Sequence, residues 1–486
     1  MFYNRQINKF HGRETYMKNR RIFCVICILS FLSFQLNAFE KYGDEFLSDW
    51  SLIGSIKTQN LQETYKVLSQ EDIDIAGVDY KQKIIDVLLS ENDFERLKKR
   101  GYSIQILETK GVSRAPDTQY KNPDEINEIL NDYALNYPDI TKKVSIGKSV
   151  EGRDIWALKI SDNPEINELD EPTILFNSMH HAREIMTPEV TLDIIESLLK
   201  GHHINETYTN WINRYQIWII PMLNVDGNHK MWTKDKWWRK NNRGGYGVDL
   251  NRNYPATWKK CRGSSGWRSS QTYRGPKPAS EPETQAMMSF VQKIRPVFDI
   301  SYHSYSELVI YPMGCSPERT KNKDVVEKIG KEIAQKINYT PGTAWELLYN
   351  ADGGDIDWMY EAYQVIPYVI EVNSRSEGFH PDYNLWRDKT VKRNRPGWKH
   401  LLTRLSGPGI RGVVTKGTHG FNDYWIDVYK QKGGEKLLSY KAQDTGVYHL
   451  VLNSGQYYLE FRNDQNIFAQ VYEKITNKLL IKNIEL

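Results

Sequence analysis

Between Tyr120 and Leu405 the apolar residues follow two alternating patterns. In "PDEINEILNDYALNYP" (123–138) and "TPEVTLDIIESLLKG" (187–201) they recur every three or four positions, which predicts helices, the second with Thr187 as cap and Pro188 first. In "DIWALKIS" (154–161), "PTILFN" (172–177) and "YQIWIIPMLN" (215–224) they form short runs bounded by polar or turn residues, which predict strands. This alternation implies an α/β domain with a mixed or parallel sheet, whose ligands belong at strand ends and in the loops beyond them.

The flanks read differently. From about Gln62 to Leu107, strand-like "YKVL" and "YSIQIL" surround "SENDFERLKKRG", a helix with Ser90 or Asn92 as N-cap, basic residues in its last turn and Gly101 to close it. A small α/β unit with its linker, over residues 44–114, is the expectation. The linker "KGVSRAPDTQYKNPDE" is polar and contains proline, and it offers Lys110 and Arg114 to a trypsin-like protease. After "SGPG" (406–409) helical patterns stop. "DYWIDVYK", "GVYHLVL" and "QYYLEF", separated by "QDTG" and "NSG", predict a small β-sandwich over 408–486.

Composition narrows the class. With 486 residues and 40% hydrophobic content, the chain is long enough for roughly three domains. The formal charge of +4 is concentrated at the start, where residues 1–38 carry six basic side chains against Glu14. The remainder is close to neutral and offers no general footprint for nucleic acid. Residues 1–38 read as an export signal: "KNRR", an apolar stretch from Ile22 to Phe34, then "QLNA", with Met17 as an alternative start. That stretch falls short of the ~20 residues a membrane helix needs, so stable membrane insertion is not expected and the destination is secreted or periplasmic. Cys24 and Cys27 lie in the signal, which leaves Cys261 and Cys315. An oxidising compartment would allow them to pair, though their spacing does not say whether they meet.

The densest chemistry is "NSMHHAREIM" (177–186), two histidines and a glutamate directly after the run Ile174 to Phe176. A catalytic zinc site takes three protein ligands from imidazole and carboxylate and leaves one position open. The third ligand must come from elsewhere, and most other histidines stand in ordinary polar settings. His303, in "VFDISYHSYSELVIYPMG", repeats the setting of a strand giving way to a polar segment.

Together these residues resemble the zinc carboxypeptidases of the carboxypeptidase A and B type, over about Tyr120 to Leu405. The likeness extends through "IGKSVEGRDIWALKIS", "WWRKNNR", "GVDLNRNYP", "TYRGPKPASEPET" and "GGDIDW". It implies the mixed-sheet fold of that family, helices on both faces, and one zinc ion on His181, Glu184 and His303, with His180 a neighbour. It also implies Glu371, in "PYVIEVNS", as the catalytic base and Arg239 as the cation facing the developing oxyanion. Without the family, Glu371 would read as the solvent face of an edge strand. Asn251 and Arg252 match the clamp for the terminal carboxylate, and arginine suits it because its planar fork pairs bidentately. Tyr349 matches a tyrosine closing over substrate, Arg183 a contact further along the peptide, and Asp249 the carboxylate that orients a zinc histidine.

Ile356 matches the floor of the side-chain pocket and implies apolar or aromatic C-terminal residues, with basic ones left open by Asp355 beside it. The segment "EVNSRSEGF" replaces the family's commoner "ELRD", and Cys315 stands beside the pocket. The N-terminal unit resembles the family's propeptide, a cap over the cleft removed by an activating protease. The C-terminal unit resembles the transthyretin-like sandwich of some relatives. The expected function is therefore a secreted zinc carboxypeptidase acting on peptide or protein C-termini and made as a proenzyme. The alternatives are a peptidase of cell-wall peptides and a catalytically silent binding protein on the same scaffold.

Overall fold

The computed structural model describes residues 50–109 and 115–486. The export signal, Lys110 and Arg114 lie outside the described residues. Among those described, no helix is long and apolar enough to cross a membrane.

The first module is an antiparallel sheet of β1 (Leu52–Lys57), β2 (Asp74–Asp79), β3 (Ile84–Leu89) and β4 (Ile104–Thr109), in the order β2-β3-β1-β4. "YKVL" is not a strand. It lies in the helix Leu61–Gln70, capped by the Asn60 side chain, and Leu61, Tyr65 and Leu68 bury one helical face. Four residues are too few to separate a period of 2 from one of 3.6, and the wider spacing decides for the helix. The helix Glu91–Lys99 starts where the caps predict, with Ser90 and Asp93 forming a reciprocal capping box.

The central sheet has eight strands: β5 (Thr141–Lys148), β6 (Asp154–Ile160), β7 (Thr173–Ser178), β8 (Gln216–Ile220), β9 (Phe298–Ser304), β10 (Leu308–Ile310), β11 (Thr340–Gly342) and β12 (Ile366–Val372). Their order is β11-β10-β12-β9-β7-β8-β6-β5. Neighbours from β12 through β9 and β7 to β8 run parallel, so their C-terminal ends share one edge. β7 and β9 are wholly buried, as strands covered on both faces must be. Because β12 lies between β10 and β9, Glu371 stands on an interior strand and not on an edge. The helix after β7 begins at Met186, one residue before the expected cap. Thr187 sits inside its first turn and donates to the Glu184 carbonyl at 2.8 Å.

The C-terminal module packs two sheets. Strand Gly409–Lys416 pairs with Val447–Val451, Leu479–Ile481 and Ile484–Glu485, while Trp425–Tyr429, Lys436–Lys441, Gly455–Arg462 and Ile467–Ile475 form the second sheet. Ile410, Val414, Ile426, Tyr448 and Phe461 interleave between the sheets as a sandwich core.

The first module is not separate from the central domain. Its Leu61, Ile73 and Val78 share an apolar cluster with Leu308, Ile310, Leu347, Ile356 and Val369. A side chain at Gly77 would place its Cβ 2.4 Å from the Tyr305 ring, so glycine lets that ring pack directly against β2.

Candidate active site

Three parallel strands deliver the chemistry. His181 and Glu184 follow the end of β7, His303 is the penultimate residue of β9, and Glu371 lies directly beside it in register on β12. Strand pairing therefore brings His303 beside Glu371, about 70 positions later, and close to His181 and Glu184, more than a hundred positions earlier.

His181 Nδ1 lies 2.7 Å from Glu184 Oε1, His303 Nδ1 lies 3.2 Å from Glu184 Oε2, and the two Nδ1 atoms are 3.1 Å apart. All three residues are buried. Two imidazole nitrogens converging with a carboxylate make an acceptor cluster that a single cation satisfies, and the three residues can hold one metal ion. Burial works against the charge on Glu184, but His181 and His303 outweigh it and hold the carboxyl below its usual range.

His180, His303 and Asp355 form a second grouping with metal-binding geometry. His180 is fully buried. Its Nε2 lies 3.0 Å from the Tyr254 hydroxyl, its Nδ1 lies 3.3 Å from Ser301 Oγ, and its ring stacks on His303. That places it behind the site as a support. His181, Glu184 and His303 instead line an open pocket.

The same pocket is lined by Glu371, Arg239, Asn251, Arg252, Tyr349 and Ile356. Burial pushes the Glu371 carboxyl up to about 7, with His303 pulling it down and Glu184 adding repulsion. A carboxyl in that range can take up and return a proton near neutral pH. Asp249, fully buried, holds two other groups in place. Its Oδ2 accepts from Arg239 Nε and Nη2 at 3.2 and 2.9 Å, and its Oδ1 lies 3.3 Å from His181 Nε2. Burial disfavours the Asp249 charge, but Arg239 and His181 hold its carboxyl well below the usual range. The bridge from Asp249 to Arg239 carries no signal in the sequence.

Arg252 donates through Nη2 to the Tyr349 hydroxyl at 2.7 Å and through Nε to the Gly263 carbonyl at 3.2 Å. Ile356 is buried and lines the pocket. Asp355 also lines the pocket, and its buried Oδ2 has no hydrogen-bond partner. Cys261 and Cys315 are bonded to each other.

Arg183 does not line the pocket. It is fully buried and donates to both Asp74 oxygens, at 2.6 and 2.8 Å, beneath the first module. Ile75, Ala76 and Gly77 of that module, together with Tyr65, form part of the pocket wall. Asp74 did not stand out in the sequence, because the acids of "DIDIAGVD" look like ordinary surface charge.

Comparison with known proteins agrees with this geometry. The family model described as zinc carboxypeptidase matches residues 126–389. A zinc carboxypeptidase of Saccharothrix mutabilis subsp. capreolus is 35% identical over 286 residues, covering 54% of this chain and 64% of the relative. Bovine carboxypeptidase B2 is 30% identical over 281 residues, covering 54% of this chain and 66% of the relative. The chain thus spans slightly under two thirds of each. Among solved structures, thrombin-activatable fibrinolysis inhibitor aligns with a TM-score of 0.61 at 23% identity, over 73% of this chain and 98% of the other. Carboxypeptidase A of Helicoverpa armigera aligns with a TM-score of 0.62 at 22% identity, over 73% and 97%. At such identities the structures speak for the fold alone.

Proposed function

Because the chain belongs to the zinc carboxypeptidase family, we propose that it hydrolyses the last peptide bond of peptides and proteins and releases the C-terminal amino acid. The observation that carries this reading is the convergence of an ion-holding triad, a carboxyl with a raised pKa, two arginines and a tyrosine on one pocket.

His181, Glu184 and His303 would hold the zinc ion. When bound, zinc supplies Lewis-acid polarisation of the scissile carbonyl and acidifies the attacking water. Arg252, with Asn251 and the Tyr349 hydroxyl, receives the free terminal carboxylate. That pairing restricts cleavage to the final bond. Glu371 takes a proton from water as its oxygen attacks the carbonyl carbon. The carbonyl oxygen becomes negative, and Arg239, fixed by Asp249, donates to it. When the C–N bond breaks, Glu371 returns the proton to the leaving amine, giving a shortened peptide and a free amino acid.

Ile356 and the apolar wall favour aromatic and aliphatic C-terminal residues. The Asp355 carboxylate on the pocket wall, 3.7 Å from His180 Nε2, supports some acceptance of Lys or Arg. The first module, seated over the pocket, supports synthesis as a proenzyme that an activating protease opens near Lys110 or Arg114. The N-terminal export pattern and the disulfide support secretion or periplasmic delivery.

The test uses zinc-loaded full-length protein nicked with trypsin. It measures release of Phe, Leu, Lys and Arg from blocked dipeptides, with and without a chelator. Chelator-sensitive release, fastest for Phe or Leu, is expected. No release of any residue by the zinc-loaded, nicked protein would overturn the proposal.

A further inference from the structure

The carboxylate clamp and the loop behind it form a closed ring of contacts with one covalent link. Arg252 Nε donates to the Gly263 carbonyl at 3.2 Å. Two residues earlier, Cys261 is bonded to Cys315 across a sequence separation of 54. Next to Cys315, the Gly314 carbonyl accepts from Ala351 N at 3.0 Å. Ala351 and Asn350 lead back to Tyr349, whose hydroxyl meets Arg252 Nη2 at 2.7 Å.

Cross-ties tighten the ring. Asp352 Oδ2 accepts from Cys261 N and Gly263 N at 3.2 and 3.3 Å, and Asn350 Nδ2 donates to the Cys261 carbonyl at 3.2 Å. Gly263 packs so closely on Asn350 that a Cβ there would lie 2.0 Å from the Asn350 carbonyl oxygen. Every link except the disulfide is a hydrogen bond or a packing contact. The cross-link lies outside the reacting centre and touches neither the ion-holding triad nor Glu371.

We propose that the Cys261–Cys315 disulfide is a positioning element for terminal-carboxylate recognition, fixing Arg252 and the Tyr349 segment against each other. This rests on the reading of Arg252 and Tyr349 as the carboxylate clamp. A clamp whose two halves are held together recognises its ligand without first being ordered, and opening the link imposes that ordering on each binding event. The effect falls on binding and spares the chemical step, because His181, Glu184, His303 and Glu371 are anchored at β7, β9 and β12, and Arg239 is held by its own ion pair with Asp249. Both cysteines are partly accessible, so a phosphine can reach the bond. Reduction transfers two electrons from phosphorus, which becomes the phosphine oxide with oxygen from water, and each sulfur takes one proton.

The experiment uses trypsin-nicked, zinc-loaded full-length protein in three forms: oxidised parent, phosphine-reduced parent, and the Cys261→Ser/Cys315→Ser double variant. KM for a blocked dipeptide with a free carboxylate is expected to rise about tenfold in the reduced and variant forms, with kcat within about twofold and zinc content unchanged. The double variant should not respond to phosphine. Amide exchange at Gly263 and Ala351 is read in the same samples and should accelerate on reduction. An unchanged KM in the reduced parent, or joint loss of kcat and zinc, would overturn the proposal. Unchanged exchange would overturn it even if the oxidised parent hydrolyses nothing, the result that counts against the activity itself. If the double variant fails to fold, the reduced parent decides alone.

Discussion

Arg183 and Asp74 form a two-pronged ion pair, at 2.6 and 2.8 Å, that joins the helix-leading segment of the ion-binding motif to β2 of the first module. The Arg183 side chain is fully buried and Asp74 is 14% exposed. Removing one partner of such a pair leaves an uncompensated buried charge, at a cost of about 3–5 kcal/mol. Here the strain can be relieved by letting the module lift and water enter. Asp74→Ala is therefore expected to raise hydrolysis by the uncleaved chain at least about tenfold over the uncleaved parent, since ~1.4 kcal/mol of that cost already suffices. The check is dipeptide hydrolysis before any protease is added. Equal background rates in parent and variant would show that the pair does not hold the cover closed.

Glu371 and the ion-holding triad are adjacent but separable. Glu371→Gln keeps the size of the side chain and removes its capacity to carry a proton. Turnover should fall by about 10²–10⁴ while zinc stays stoichiometric. Metal content by elemental analysis, alongside kcat, checks this. A variant that loses zinc in proportion to activity would make Glu371 a structural support of the metal site and not its base.

Asp249→Ala should behave differently. Asp249 steadies both His181 and Arg239, and loss of a carboxylate that orients a ligand histidine typically weakens metal binding about 10–100-fold. Competition with a chromophoric chelator should show that weakening. Activity at saturating zinc should also remain below the parent's, because Arg239 has lost its anchor. Full recovery of kcat with added zinc would mean that the Asp249–Arg239 bridge contributes nothing to turnover.

The sequence disclosed strands better than their neighbours. "PTILFN" and "YQIWIIPMLN" are recognisable because a strand buried on both faces has no polar alternation to confuse with a helix. It did not disclose that Glu371 pairs with His303, since register in a parallel sheet depends on long connections with no local signature. "YKVL" failed for the opposite reason, as four residues fit either period. The triad was legible through ordered motifs, each short but jointly specific, and the same motifs picked out Asn251, Arg252 and Tyr349, which line one pocket with it. Asp74, Asp352 and the partnership of Cys261 with Cys315 were not. Their roles depend on which loops meet, and a lone acid or cysteine in a loop looks like many others.

Glu283 gives a prediction about pH. It is buried in the helix Pro282–Ile294, where it accepts from Val150 N at 3.0 Å and from Asn241 Nδ2 at 3.2 Å. Asn241 follows Arg239 by two residues and accepts from Val248 N just before Asp249, so Glu283 braces the loop that carries both site residues. Burial pushes its carboxyl up to about 7, with the hydrogen bonds opposing and Asp226 adding repulsion. The folded protein therefore holds this proton more tightly than the unfolded chain does. Below the ordinary glutamate value Glu283 imposes no charge penalty. Between that value and about 7 folding becomes progressively less favourable, and above about 7 the whole penalty applies, at most ~3 kcal/mol by proton linkage. Glu283→Gln removes the ionisation but places an amide against Asn241, a cost present at every pH. The difference between variant and parent across pH is thus more telling than either stability alone. Denaturant unfolding midpoints from pH 4.5 to 8 should show the variant gaining on the parent as pH rises, with the gain levelling off above about 7. Parallel profiles would mean that Glu283 ionises in the folded protein as it does in the unfolded chain, its charge compensated by Val150 and Asn241.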